Sequence, residues 1–288
     1  MKPPVFDYHD PSAVEGALDL LSRHGDDAKV LAGGQSLVPL MNFRLASPDH
    51  LVDLGRIPTL AYVRRRDGAL RIGTMTRQAT LEASPLVAEH WPLLTGALGF
   101  VAHAQIRNRG TVGGSVAHAD PAAELPVAFT VLDATFHLRS RSTTRAVGWR
   151  DFFITHLTTA IEPDELLVEI EVPPVPRNTA WAFTEYSRRH GDFALGGAAA
   201  LVTLEDGVCS RARLGLLAAA DTPLRAEAAE RVLEGGAITK ESTAEAARMA
   251  VSDISPTGDI HGGTDYRRRL IEGMVRRAIE QAAERAGS

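Results

Sequence analysis

Apolar residues recur at Val14, Ala17, Leu18 and Leu21, a helical spacing that follows Ser12-Ala13-Val14-Glu15, a capping-box pattern, and stops at Gly25. Lys29-Val30-Leu31-Ala32 is a short apolar run of the kind a buried strand carries, and it runs directly into Gly33-Gly34-Gln35-Ser36. A second apolar segment at 37–45 and a strand at 50–54 complete a small α/β unit over residues 1–56. Its loop lies at the carboxyl end of a strand, where open α/β sheets bind ligands.

The pattern changes from Ala69 onward. Residues 69–73 read as a strand, 76–83 and 91–101 as helices, and 124–132 as a buried helix. Thr135-Phe136-His137-Leu138-Arg139 and Leu167-Val168-Glu169-Ile170-Glu171-Val172 alternate as half-buried strands do. Pro173-Pro174-Val175-Pro176 stiffens the chain and ends the preceding strand, which places a domain border there: residues 1–176 with subdomains 1–56 and 57–176, then 177–288. Beyond it, strand-like runs at 180–187, 197–204 and 211–218 precede helices, the longest at 265–286. In that helix Leu270, Ile271, Met274, Val275, Ala278, Ile279 and Ala282 form an apolar stripe, and Arg267, Arg268, Arg276 and Arg277 are assigned to a solvated face. The fold class is α+β.

Composition narrows the function classes. A chain of 288 residues with 44% apolar and 23% charged positions is an ordinary globular one, long enough for two domains. A net charge of -5 argues against a nucleic-acid backbone as partner. Cys209 is the only cysteine, so no disulfide and no cluster held by several thiolates belongs to this chain. The histidines lack the spacing of a helical zinc motif, and no metal site is expected. The start lacks the apolar core of a signal peptide, and the longest apolar run, at 214–220, is too short to span a bilayer. A cytoplasmic protein is the expectation.

Two glycine-rich loops carry the candidate chemistry. Ala32-Gly33-Gly34-Gln35-Ser36-Leu37 and Thr111-Val112-Gly113-Gly114-Ser115 each combine glycines, which let backbone amides approach an anion, with hydroxyl or amide donors. Either alone reads equally as a tight turn. As a pair they suit a pyrophosphate clamped from two sides. Asp120 and Glu124 offer carboxylates to ribose or ribityl hydroxyls, or else cap a turn before Pro121 and a helix. A branched side chain at Gly114 is expected to fill the space the phosphate needs. His118 follows the second loop and serves either the ligand or a structural hydrogen bond, and Arg107 and Arg109, just ahead of the loop, either lend it positive potential or make surface or subunit contacts. Arg188 and Arg189 either face solvent or pair with Asp192.

These loops, the opening Pro4-Val5-Phe6-Asp7-Tyr8, and the stretch from Ala180-Trp181-Ala182-Phe183 through Ser187-Arg188-Arg189-His190-Gly191-Asp192-Phe193-Ala194 resemble the FAD-binding medium subunit of the molybdenum hydroxylase family. That family includes aerobic carbon monoxide dehydrogenase and is similar to the flavin domain of xanthine dehydrogenase. The resemblance covers nearly the whole chain. It implies a two-subdomain, PCMH-type FAD-binding domain followed by a smaller C-terminal domain with a three-stranded antiparallel sheet and helices. It further implies that Lys29, Val30, Leu31, Ala32, Gly33, Gly34, Gln35, Ser36 and Leu37 wrap the FAD pyrophosphate on one side and Thr111, Gly113, Gly114 and Ser115 on the other. Glu124 then holds the ribityl chain with Asp120 nearby, Ala102 lies by the dinucleotide, Leu167 by the isoalloxazine, and Asp192 with Phe193 beside the ring. A lysine common in the family near Thr184 or Glu185 is missing.

The same resemblance implies two partners, a small subunit carrying [2Fe–2S] clusters and a large one carrying a molybdenum cofactor, assembled as a dimer of heterotrimers. Electrons would pass from the clusters to FAD and on to an acceptor such as a quinone. A carbon monoxide dehydrogenase-like complex is the leading expectation. A nitrogen-heterocycle, purine or aldehyde hydroxylase and a self-contained flavin oxidoreductase are the alternatives, and association with a membrane would come through the complex.

Overall fold

The computed structural model describes residues 2–286. Its first unit contains β1 (Asp7–His9), α1 (Val14–His24), β2 (Ala28–Leu31), α2 (Leu37–Asn42) and β3 (His50–Asp53). The three strands are parallel in the order β1-β3-β2. α1 buries Val14, Ala17, Leu18 and Leu21, as their spacing requires. The expected capping box does not form: the residue preceding the helix is Ala13, with no side-chain cap. Glu15 instead reaches across to Arg139, at 2.9 Å, and ties α1 to the next unit.

The second unit follows as β4 (Val63–Arg66), β5 (Ala69–Gly73), α3 (Gln78–Glu82), α4 (Pro85–His90), α5 (Pro92–Leu98), α6 (Ala104–Arg109), α7 (Val112–His118) and α8 (Glu124–Val131). It closes with β6 (Thr135–Arg139), β7 (Thr144–Gly148), α9 (Trp149–Phe152), β8 (Phe153–Thr155), β9 (Thr158–Thr159) and β10 (Leu166–Val172). The main sheet has the order β4-β5-β10-β6-β7 and is antiparallel throughout. Pro85 and Pro92 each open a helix at its first turn, where a missing N–H costs nothing, and so divide the helical region into short pieces. Trp91, Phe129, Phe136 and Phe152 are fully buried in the core below.

The third unit holds β11 (Thr179–Tyr186), β12 (Gly196–Glu205), β13 (Val208–Leu217), β14 (Leu224–Arg225), α10 (Glu227–Leu233), α11 (Lys240–Ala250) and α12 (Thr264–Ala286). Its antiparallel sheet has four strands, not the three expected. The extra strand is two residues long and invisible to pattern. It is held to β13 because the Arg225 guanidinium binds Glu230 through Nε at 2.6 Å and Nη2 at 2.8 Å, and Asp133 at 3.0 Å.

β12 is buried on both faces. Ala198, Ala200 and Val202 pack with α12, while Ala199 and Leu201 join the core of the second unit. The alternation of side chains along one strand thus makes a single layer serve two cores. Arg276 and Arg277 of α12 are exposed as expected, but Arg267 is buried and pairs with Asp259 at 2.7 Å, and Arg268 donates to the Ile254 carbonyl at 3.0 Å.

Candidate cofactor cleft

A cleft of about 960 Å³ opens where the three units meet. That is near the top of the roughly 300–1,000 Å³ typical of small-molecule sites, large enough for a dinucleotide. The first glycine loop leaves β2 and forms one wall, and the second enters α7 and forms the facing wall.

The loops touch backbone to backbone. A Cβ on Gly33 would lie 2.6 Å from the Arg109 carbonyl oxygen and 2.8 Å from Gly110 Cα, so only glycine allows this approach. A Cβ on Gly114 would meet Thr111 Oγ1 at 2.7 Å and Ala32 Cβ at 3.4 Å. The space behind Gly114 is therefore filled by protein rather than by ligand.

The two walls offer different donors. In the second loop the amides of Val112 and Gly113 donate to the carbonyls of Thr76 and Thr74, both at 2.9 Å, and the Gly114 amide donates to Thr111 Oγ1 at 3.1 Å. Thr111 is the N-cap of α7, and its hydroxyl is committed to that role. In the first loop the amides of Gly34, Gln35, Ser36 and Leu37 have no acceptor among the described residues. The free amides sit at the start of α2, and the second loop supplies close approach and the hydroxyl of Ser115.

Of the residues expected at the site, all but Leu31 line this cleft. Leu31 sits behind the loop, against the position a Cβ on Gly34 would take, at 3.4 Å. Ala102 has a positive φ of 40°, a conformation costly for an L-residue. Arg107 holds that turn, donating to the carbonyls of Val101 at 2.8 Å and Ala102 at 3.5 Å while pairing with Glu82 at 2.7 Å, so its role is in the scaffold. The Arg109 carbonyl accepts from Arg77, and Arg188 pairs with Asp192 at 3.5 Å.

Asp120 caps its own turn, accepting from the Ala122 amide at 2.8 Å, and still borders the cleft. Glu124 begins α8, and burial pushes its pKa up to about 7, with the charge of Asp120 adding to the shift. Burial also raises Glu185 on β11 to about 8, with Glu124 contributing, and its Oε2 has no partner among the described residues. His118 lines the cleft with its pKa lowered by burial, which favours the neutral imidazole. Leu167 lies at a register shift between β10 and β6, and such bulges re-aim side chains beside functional sites. Asp192 and Phe193 reach the mouth from the third unit, and Phe193 is 75% exposed.

Pattern reading missed several lining residues, among them Thr74, Gln78, His103, Thr158 and Glu162. None sits in a glycine loop or in a charge pattern, so no local signal marked them. Gln78 Oε1 is buried and has no partner among the described residues. Free amides, glycines in close approach, a protonatable carboxyl and an apolar aromatic at the mouth together fit FAD.

These features define a flavin-binding subunit. Residues 4–175 match the family model described as the FAD binding domain in molybdopterin dehydrogenase, and residues 181–282 match that of the CO dehydrogenase flavoprotein C-terminal domain. The chain belongs to the FAD-binding subunits of the molybdenum hydroxylase family. It is 47% identical to the 6-hydroxypseudooxynicotine dehydrogenase complex subunit alpha of Paenarthrobacter nicotinovorans, across 99% of this chain and 97% of that one. It is 39% identical to the carbon monoxide dehydrogenase medium chain of Hydrogenophaga pseudoflava, across 98% of each. Among solved structures, the carbon monoxide dehydrogenase from Hydrogenophaga pseudoflava lacking the Mo-pyranopterin moiety superposes with a TM-score of 0.97 at 41% identity, covering 99% of both chains. Quinoline 2-oxidoreductase from Pseudomonas putida 86 gives 0.95 at 39% identity, covering all of both chains.

Proposed function

We propose that this chain is the electron-transferring flavin subunit of a three-component molybdenum hydroxylase. It receives electrons from [2Fe–2S] clusters on a small subunit, while a large subunit with the molybdenum cofactor oxidises the substrate. The acceptor is external, a quinone being one candidate, and the expected assembly is a dimer of heterotrimers in the cytoplasm. Among the described residues no helix is long and apolar enough to cross a membrane, so any membrane association would come through the complex.

The observation that carries this reading is the cleft itself, with free amides on one wall, a glycine contact closing the other, and a mouth edged by exposed Phe193. FAD, when bound, supplies the ability to take up and release electrons. The residues from Lys29 to Leu37, with Leu31 behind them, would hold its pyrophosphate, chiefly through the amides of Gly34 to Leu37, and Thr111, Gly113, Gly114 and Ser115 would close the opposite side. Glu124, protonatable near neutral pH, would accept from or donate to a ribityl hydroxyl, with Asp120 beside it. Ala102 would border the dinucleotide, and Leu167 with Asp192 and Phe193 would lie beside the ring. Cys209 is buried and its thiol is pushed up to about 11, in keeping with clusters carried on another chain.

The substrate is chosen by the large subunit. The 47% identity to a subunit of the 6-hydroxypseudooxynicotine dehydrogenase complex, against 39% to a carbon monoxide dehydrogenase chain, favours an organic nitrogen heterocycle over carbon monoxide.

Purification of the native complex tests the proposal. Flavin, iron, labile sulfide and molybdenum should co-elute with two further subunits, and the isolated chain should retain FAD without oxidising heterocycles. Flavin without metal-bearing partners, together with turnover by this chain alone, would identify a self-contained flavin oxidoreductase instead.

A further inference from the structure

Three histidines gather outside the cleft. His9 ends β1, His24 ends α1 and His50 begins β3. In the parallel register His50 stands opposite Asp7, which puts His50 and His9 on one face of the sheet, and α1 brings His24 back over that face. His9 Nε2 and His50 Nδ1 are 3.2 Å apart. The rings of His24 and His50 have centroids 3.6 Å apart, and those of His9 and His24 5.6 Å.

One ring nitrogen from each of the three lies within 4.8 Å of the others. A tetrahedral ion with Zn–N bonds of about 2.0–2.1 Å holds its ligand nitrogens ~3.3 Å apart. The His9–His50 pair is therefore already at ligand spacing, and His24 offers a ring nitrogen within 4.8 Å of both. All three residues are half-buried, so an ion has access and solvent can complete its shell. The Asp7 carboxylate lies 3.8 Å from His50 Nδ1 and offers an oxygen ligand.

We propose that His9, His24 and His50 form a binding site for a divalent transition ion of the zinc class, with Asp7 or water completing the coordination. Imidazole is a preferred ligand for such ions. The ion would pin the three-residue strand β1 and the end of α1 to the centre of the sheet. Gly25, Asp26, Ala28 and Lys29, which follow His24 directly, line the cofactor cleft, so the ion would brace that wall. The proposal does not depend on the identity of the cofactor or of the partners.

The test is calorimetric titration of the chelator-treated full chain with Zn2+. One ion per chain should bind, the melting temperature should rise with free zinc, and His24→Gln and His50→Gln should each weaken binding by at least roughly tenfold, no less than is typical for losing a mere support of a ligand. His90→Gln, outside the cluster, should bind as the parent does, and circular dichroism with flavin content checks the fold of each variant. Electron paramagnetic resonance of bound Cu2+ gives an independent readout, with three coordinating nitrogens expected even if the variants misfold. Absence of stoichiometric zinc binding overturns the site. Unchanged binding in both cluster variants does so too, as does a copper signal with one nitrogen or none; the histidines would then form only a hydrogen-bonded stack.

Discussion

Gly113 has less room than any prediction from the glycine loop alone would suggest. A methyl group there would lie 2.6 Å from Thr74 Cβ and 2.8 Å from its Cα, against backbone that cannot retreat. Gly113→Ala should cost about 1–3 kcal/mol of stability through overpacking and release FAD, read from a denaturant titration and the flavin-to-protein absorbance ratio. Gly114→Val should also lose FAD, but by striking Thr111 Oγ1 and the facing loop at Ala32 rather than by occupying phosphate space. If so, the variant will be destabilised even without cofactor. Glu124 and Glu185 predict a pH effect of definite sign. Each ionises near 4.5 when unfolded but near about 7 and about 8 when folded, so the native chain binds more protons across that window. The contribution of these two carboxyls to the stability of the cofactor-free chain is then greatest below the window and falls as pH rises through it. Glu185→Gln should flatten the fall, measured as melting temperature from pH 5 to 8.

Glycine also decides how elements dock. A Cβ on Gly96 of α5 would lie 2.6 Å from Trp181 Cη2 on β11, and one on Gly215 of β13 would lie 2.8 Å from Val127 Cγ1 on α8. These are the places where helices of the second unit lie on the sheet of the third. Gly96→Ala should therefore push α5 away from β11 and cost about 1–3 kcal/mol, measured by urea unfolding. A parent-like midpoint would mean that Trp181 rotates freely out of the way. The periodicity of α5 and β11 was legible, since each buries the apolar face its pattern declares. The contact between them was not, because nothing near Gly96 in the sequence refers to Trp181.

At the scale of the molecule, the proline segment 173–176 separates strands without separating cores. Phe183, Ala194, Ala199, Leu201 and Leu217 pack into the same cluster as Leu93, Val127 and Phe136. A chain ending at Pro176 would leave that surface open to water, and apolar patches of such size drive association. Residues 1–176 expressed alone should aggregate or bind a hydrophobic dye, whereas the full chain should remain monodisperse in gel filtration. The cleft has the same dependence, since its mouth at Asp192 and Phe193 comes from the third unit.

What the sequence determined by itself was local: the strand before Gly33, the helix stripe of α12, the alternation of β6 and β10, and two loops able to approach an anion. These follow from side-chain period and from the conformational needs of single residues, which near neighbours set. The tertiary structure decided the rest. It left the amides of Gly34 to Leu37 without an acceptor among the described residues while committing those of Val112 to Gly114, it replaced the Ser12 capping box with a bridge from Glu15 to Arg139, and it buried Arg267 opposite Asp259. It also gathered His9, His24 and His50 from two strands and a helix. Each of these joins residues whose partners come from other elements or whose donors are taken by a distant turn, and only packing determines which groups are satisfied and which remain for a ligand.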